Sequence, residues 1–153
     1  MFGVNINPRR GYSRRFDLAK IKRIDHVALV IQDMEEALAF WRDCLGIEIS
    51  ELVDNPTKKA EIGFLPVGES EIELVRPTSE ETGLAKHLAR KGPGMHHICL
   101  EVDDIEGMLK LLEESGVRLI DERPKLSRDG TRYAFIHPKA SHGVLVELYQ
   151  KPD

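Results

Sequence analysis

The segment IDHVALVIQD at residues 24–33 returns as MHHICLEVDD at residues 95–104. One offset, 71 residues, carries His26 onto His97 and Asp33 onto Asp104. In the first copy Val27, Leu29 and Ile31 fall on one side of a strand, and His26, Ala28 and Val30 on the other. Asp33 is placed to cap a helix. Ala37, Phe40, Trp41, Cys44 and Leu45 then recur at helical spacing, and Gly46 supplies a stop. The second copy repeats the plan with Asp104, Ile105, Met108, Leu109, Leu111, Leu112 and Gly116. Three strands are predicted after each helix: 47–53, 60–66 and 70–76 in the first copy, 117–120, 131–137 and 143–149 in the second. Neither copy seals a core alone, so the two are expected to share one structure.

The expected class is therefore α+β, with paired βαβββ modules forming a half-open barrel around a cavity. We divide the chain into an N-terminal extension at 1–20 and one domain at 21–150. That domain comprises modules 21–77 and 95–150, joined by a linker helix within 78–94 that sets Leu84, His87 and Leu88 on one face. A chain of 153 residues with 41% hydrophobic and 31% charged content supports a sizeable core and argues against broad disorder. The extension reads as a loose basic tail, with Arg9, Arg10, Arg14, Arg15 and Lys20 around Pro8 and Gly11. It has no apolar signal-peptide core.

His26 and His97 occupy equivalent places, and so do Glu73 and Glu147, each glutamate inside an apolar strand run (IEL and VEL). A lone strand histidine is usually structural, and a lone strand glutamate usually faces water. The fourfold repetition points the other way. Carboxylates on inward strand faces need compensation for lost hydration, and a divalent cation held by His26, Glu73, His97 and Glu147 supplies it. Imidazole nitrogen and carboxylate oxygen suit Co²⁺, Zn²⁺, Ni²⁺, Mn²⁺ or Fe²⁺. His96 is expected to face away from His97, and His87 to lie on the linker-helix surface. His137 and His142 flank a turn. Cys44 and Cys99 read as packing residues rather than nucleophiles. Two widely separated cysteines form neither a thiolate site nor a disulfide framework. They fit a reducing, cytoplasmic setting, or the mitochondrial matrix if the source is eukaryotic. No apolar run approaches a membrane span. A net charge of -4, from 22 basic and 26 acidic residues, gives no general attraction to nucleic acid.

The series IDHVALVIQD, FLPVGESEIELVRP, GMHHICLEVDD, DERPKL and FIHPKASHGVLVELYQ, spread over residues 21–150, resembles the methylmalonyl-CoA epimerase family of the vicinal-oxygen-chelate superfamily. The resemblance implies the same metal ligands, His26, Glu73, His97 and Glu147. Some epimerases carry glutamine where this chain has Glu73. The change keeps an oxygen ligand and adds a negative charge. The resemblance also implies Glu61 as a catalytic base, Glu147 as a ligand that shares in proton transfer, Co²⁺ as the preferred ion, and a homodimer. On the residues alone, Glu61 reads as a solvent-facing strand residue.

The implied reaction interconverts (2R)- and (2S)-methylmalonyl-CoA through an enediolate, with Glu61 acting on one face of C2 and Glu147 on the other. Lys125, Arg128, Arg132 and Lys139 are candidate contacts for the CoA phosphates, although each also reads as part of a solvated basic rim. A glyoxalase I-type lactoylglutathione lyase is the alternative on the same metal framework. A small-molecule binding or resistance protein without catalysis is another.

Overall fold

Each βαβββ copy is found in the computed structural model, which describes residues 19–152. The basic tail expected at 1–20 lies outside the described residues as far as residue 18. The first copy comprises β1 (Ile21–Val30), α1 (Met34–Leu38), β2 (Glu51–Asn55), β3 (Ala60–Val67) and β4 (Ser70–Pro77). Helix α1 continues as a π-helical turn, Ala39–Cys44. Helix α2 (Gly83–Lys91) follows. The second copy comprises β5 (Gly94–Val102), α3 (Ile105–Glu114), β6 (Lys125–Leu126), β7 (Arg132–Ile136) and β8 (Leu145–Gln150), with a 3₁₀ turn at Pro138–Ala140. The fold is α+β, as the repeat predicts. No described helix is long and apolar enough to cross a membrane.

The described residues divide into two compact units, one of Asp25–His97 and one of residues 19–24 with 98–152. The divisions fall inside β1 and β5 rather than at the joints between the copies.

In the unit Asp25–His97 the strand order is β2-β3-β4-β1, parallel between β1 and β4 and antiparallel elsewhere. A parallel pair requires a crossover, and α1 with β2 and β3 provides it. Asp33 caps α1 by accepting from Glu36 N–H at 2.8 Å. Gly46 holds φ 74°, a left-handed conformation that glycine adopts without a Cβ clash. The β3–β4 hairpin pairs Val67 with Ser70, so only Gly68 and Glu69 turn the chain, with Gly68 at φ 62°.

That short turn sets which residues share a face. Leu29, Leu65, Ile72 and Leu74 pack against Met34 and Leu38 of α1. Ala28, Ala60, Ile62 and Val75 form a separate cluster with Phe64 and Leu84 of α2. Leu65 and Leu74 are fully buried. Gly63 lies under α1, where an added Cβ would stand 3.3 Å from Met34 Sδ.

In the other unit the order is β5-β8-β7-β6, with antiparallel β6–β7 and β7–β8 ladders. Val102, Ala134, Ile136 and Leu148 pack under Ile105, Met108 and Leu109 of α3. Asp104 caps α3 by accepting from Gly107 N–H at 3.0 Å. The strand expected at 117–120 is reduced to an isolated bridge, Leu119 to Ile136. Ile120 N–H and Asp121 N–H both donate to Phe135 O, and Asp121 Oδ2 accepts from Phe135 N–H. This doubled contact breaks the ladder, and the strand resumes only at Lys125–Leu126.

Candidate metal centre

His26 projects from β1 and His97 from β5, both buried, at 5% and 9% exposure. Their Nε2 atoms lie 3.2 Å apart and their rings meet edge to face. The opposite edge of each ring is also engaged. His26 Nδ1 lies 3.0 Å from Asp25 Oδ2. An ionised carboxylate oxygen only accepts, so this contact is a hydrogen bond when the His26 proton is on Nδ1. His97 Nδ1 lies 2.8 Å from His96 Nδ1. Glu73 Oε1 lies 3.6 Å from His26 Nδ1, the ring edge away from His97. Three of the four expected ligands, His26, Glu73 and His97, are thus gathered within one unit.

The donor set fits a divalent cation. Two imidazole nitrogens bound at about 2.0–2.1 Å in a tetrahedral shell stand roughly 3.3 Å apart, close to the 3.2 Å between His26 and His97. Two facing imidazole nitrogens are donors that suit first-row divalent ions.

Glu147 belongs to the other unit. It is buried at 7% exposure on β8, directly across from Phe135. Residues paired across a ladder share a face, so Glu147 lies on the face with Phe135, Tyr133, Tyr149 and Lys125, away from α3.

Glu61 is not brought to His26 and Glu73. The register pairs Phe64 with Glu73 and Glu61 with Arg76. Positions 61 and 64 differ by an odd number, so their side chains point to opposite faces. Ala28 pairs with Glu73, which puts His26 and Glu73 on the α2-side face. Glu61 lies on the α1 side, where it accepts from Arg76 Nε–H at 2.7 Å. The arginine is only partly buried, and its pKa is raised first by that hydrogen bond.

The basic candidates also separate. Lys125 lies on the Glu147 face and pairs with Asp121 at 2.6 Å. Arg132 lies on the α3 side and pairs with Glu106 of that helix at 3.2 Å. Arg128 and Lys139 are exposed in turns. A cleft of about 420 Å³ in the unit Asp25–His97 is lined by Gln32, Arg76, Thr78, Glu80 and Leu88 rather than by the histidines.

Asp25 and His96 are absent from the sequence-based ligand environment. Adjacent strand residues point to opposite faces, which set His96 apart from His97. The structure corrects this for His96, whose ring reaches His97 Nδ1 and stacks edge-on with His87 of α2 at 4.8 Å. The sequence signal was the offset itself, because Asp25 and His96 occupy the same place in the two copies. Cys99 is buried and Cys44 exposed. His137 caps the 3₁₀ turn through Lys139 N–H.

The model of the glyoxalase/bleomycin resistance protein/dioxygenase superfamily matches residues 25–135. The chain belongs to this superfamily. The matched span includes His26, Glu73 and His97 and ends before Glu147. Within the superfamily the chain closely resembles methylmalonyl-CoA epimerases. The human mitochondrial methylmalonyl-CoA epimerase is 38% identical over 129 residues, covering 84% of this chain and 73% of that protein. An ethylmalonyl-CoA/methylmalonyl-CoA epimerase of Cereibacter sphaeroides is 38% identical, covering 85% and 98%. A methylmalonyl-CoA epimerase solved with methylmalonyl-CoA and NH₄⁺ superposes with a TM-score of 0.78 at 30% identity, covering 86% of this chain and 96% of that one.

Proposed function

We propose that this protein is an isomerase that interconverts the two C2 epimers of methylmalonyl-CoA. The observation that carries the reading is the buried pair of imidazole Nε2 atoms 3.2 Å apart, in a superfamily member that closely resembles methylmalonyl-CoA epimerases. The C2 proton of this substrate lies between a thioester carbonyl and a carboxylate. Its removal leaves an enediolate whose charge spreads over oxygens on both sides. A bound divalent cation supplies Lewis acidity to those oxygens and lowers the cost of that charge.

His26 and His97 present nitrogen ligands, and the family resemblance adds Glu73 and Glu147 to the set. A buried carboxylate is costly unless its charge is compensated, and a divalent cation compensates it. We assign cobalt(II) as the preferred ion, because the resemblance implies it and the donor set accepts it. Glu147 is assigned proton transfer at C2 on the same resemblance, supported by its burial on β8. Glu61 was the expected base for the opposite face of C2. Its Arg76 ion pair on the α1 side argues for a structural part instead.

Among the proposed phosphate contacts, Lys125 shares the Glu147 face, where Asp121 engages it at 2.6 Å. Arg132 lies on the opposite, α3 face and is engaged by Glu106, whereas Arg128 and Lys139 are exposed in turns. The proposed assembly is a homodimer, and the proposed compartment is the cytoplasm. Incubation of each isolated epimer in D₂O tests the reaction. Deuterium at C2 together with inversion is expected from both epimers. Solvent exchange absent from both would remove the epimerase reading.

A further inference from the structure

Asp25 and His96 hold the same position in the two copies, one residue before each proposed histidine ligand. Each touches the Nδ1 edge of that ligand, at 3.0 Å for Asp25 and 2.8 Å for His96. Both contacts leave Nε2 as the nitrogen that faces the other imidazole.

We infer that Asp25 and His96 are positioning residues that direct the Nε2 lone pairs of His26 and His97 toward one shared cation. This inference rests on the metal-assisted reading above. An imidazole coordinates through an unprotonated nitrogen, so its proton must reside on the other one. Asp25 enforces that arrangement outright, because its carboxylate oxygen only accepts. His96 enforces it conditionally. An imidazole nitrogen either donates or accepts, so the Nδ1–Nδ1 contact holds the His97 proton on Nδ1 only while His96 Nδ1 accepts. His87 packs edge-on against His96 and restrains its ring. The two copies thus orient equivalent ligands with unlike groups: a fixed acceptor for His26 and a reversible one for His97.

In the metal-free protein, His26 is therefore locked with its proton on Nδ1, whereas His97 has access to both tautomers. In the Zn²⁺-loaded protein both rings carry the proton on Nδ1. Two-bond ¹H–¹⁵N correlation spectra of histidine-labelled full-length protein read this directly, without substrate and without turnover. A metal-free His26 protonated on Nε2 would overturn the Asp25 assignment, and a loaded His97 lacking an Nδ1 proton would overturn the His96 assignment.

Asp25→Asn removes the charged acceptor, and His96→Phe keeps a ring beside His87 while removing its nitrogens. Each is expected to weaken Zn²⁺ about 10–100-fold in competition with a chromophoric chelator, the range for outer-shell partners of metal ligands. Unchanged affinity in both folded variants would contradict the inference. The tautomer spectra of the unmutated protein decide the matter if either variant fails to fold. Correct tautomers and weakened variants, in a protein that leaves methylmalonyl-CoA unexchanged, would sink the substrate assignment while upholding this one.

Discussion

Glu61 and Glu73 stand on neighbouring strands of the same sheet, yet they inhabit different chemistry. Glu73 shares its face with His26, and its carboxylate lies 3.6 Å from the imidazole. Glu61 shares its face with Leu65 and Arg76 and is held in a 2.7 Å ion pair. The Glu73 side chain is 16% exposed and that of Glu61 23%, so burial alone does not separate them. Strand parity does. A carboxylate three residues along from Phe64, the partner of Glu73, must point to the opposite side of the sheet.

The comparison breaks most readily at the proposed ligand residues. His97→Ala removes one of the two facing nitrogens. It is expected to cut divalent-metal affinity by roughly 10²-fold or more, beyond the effect of an outer partner, as measured by chelator competition. Near-normal affinity would separate His97 from the centre. Glu147→Gln is expected to lower turnover about 10²–10⁴-fold, the usual contribution of a positioned proton-transfer group. Metal content measured on the same preparation shows how much of that loss follows weaker binding.

The apolar layer beneath the α1 face is the next largest effect. Leu74 is fully buried among Leu65, Met34 and Leu38. Leu74→Ala is expected to cost about 2–5 kcal/mol of stability, read from urea unfolding. A loss far below that would mean that the core beneath Glu61 and Arg76 is loosely packed.

Glu101 adds a third kind of strand carboxylate, buried but neutralised by cations. Lys22 at 2.6 Å and then Arg23 at 2.7 Å hold its carboxyl below the ordinary glutamate range. A pKa lower in the folded than in the unfolded state stabilises the protein above the unfolded value of roughly 4.3. That stabilisation is lost as the pH falls through the folded value. Glu101→Gln should therefore flatten the acid side of the stability–pH curve. Unfolding midpoints measured across that range check it, and an unchanged slope would count against the two cation contacts.

The smallest expected effect belongs to Glu61→Gln. A partly exposed ion pair contributes about 0–1 kcal/mol, and turnover is expected to change less than about twofold, far below the proton-transfer range. A large loss of turnover with metal retained would restore Glu61 as a base.

Much of the fold was legible because several local signals agreed. Asp33 and Asp104 cap their helices, Gly46 and Gly116 take positive φ, and the His26 face alternates as its apolar neighbours require. The strand at 117–120 failed because Asp121 turns its side chain onto the β7 backbone, a long-range contact that local periodicity does not carry. The face of Glu61 was countable in principle. A two-residue turn at Gly68–Glu69 fixes the β3–β4 register, and that register assigns Glu61 to Arg76. The reach of His96 was hidden by a different simplification. Alternation describes where Cβ points, whereas a carboxylate or an imidazole reaches far enough to touch the side chain next to it.

The central claim is tested most directly by C2 proton exchange with the metal content under control. Metal-free protein, verified by elemental analysis, is given each methylmalonyl-CoA epimer in D₂O, before and after Co²⁺ is added back, with Glu61→Gln run in parallel. Deuterium uptake and inversion are expected only after metal is restored, in the unmutated protein and in Glu61→Gln alike. Undiminished exchange in the metal-free protein would contradict the account.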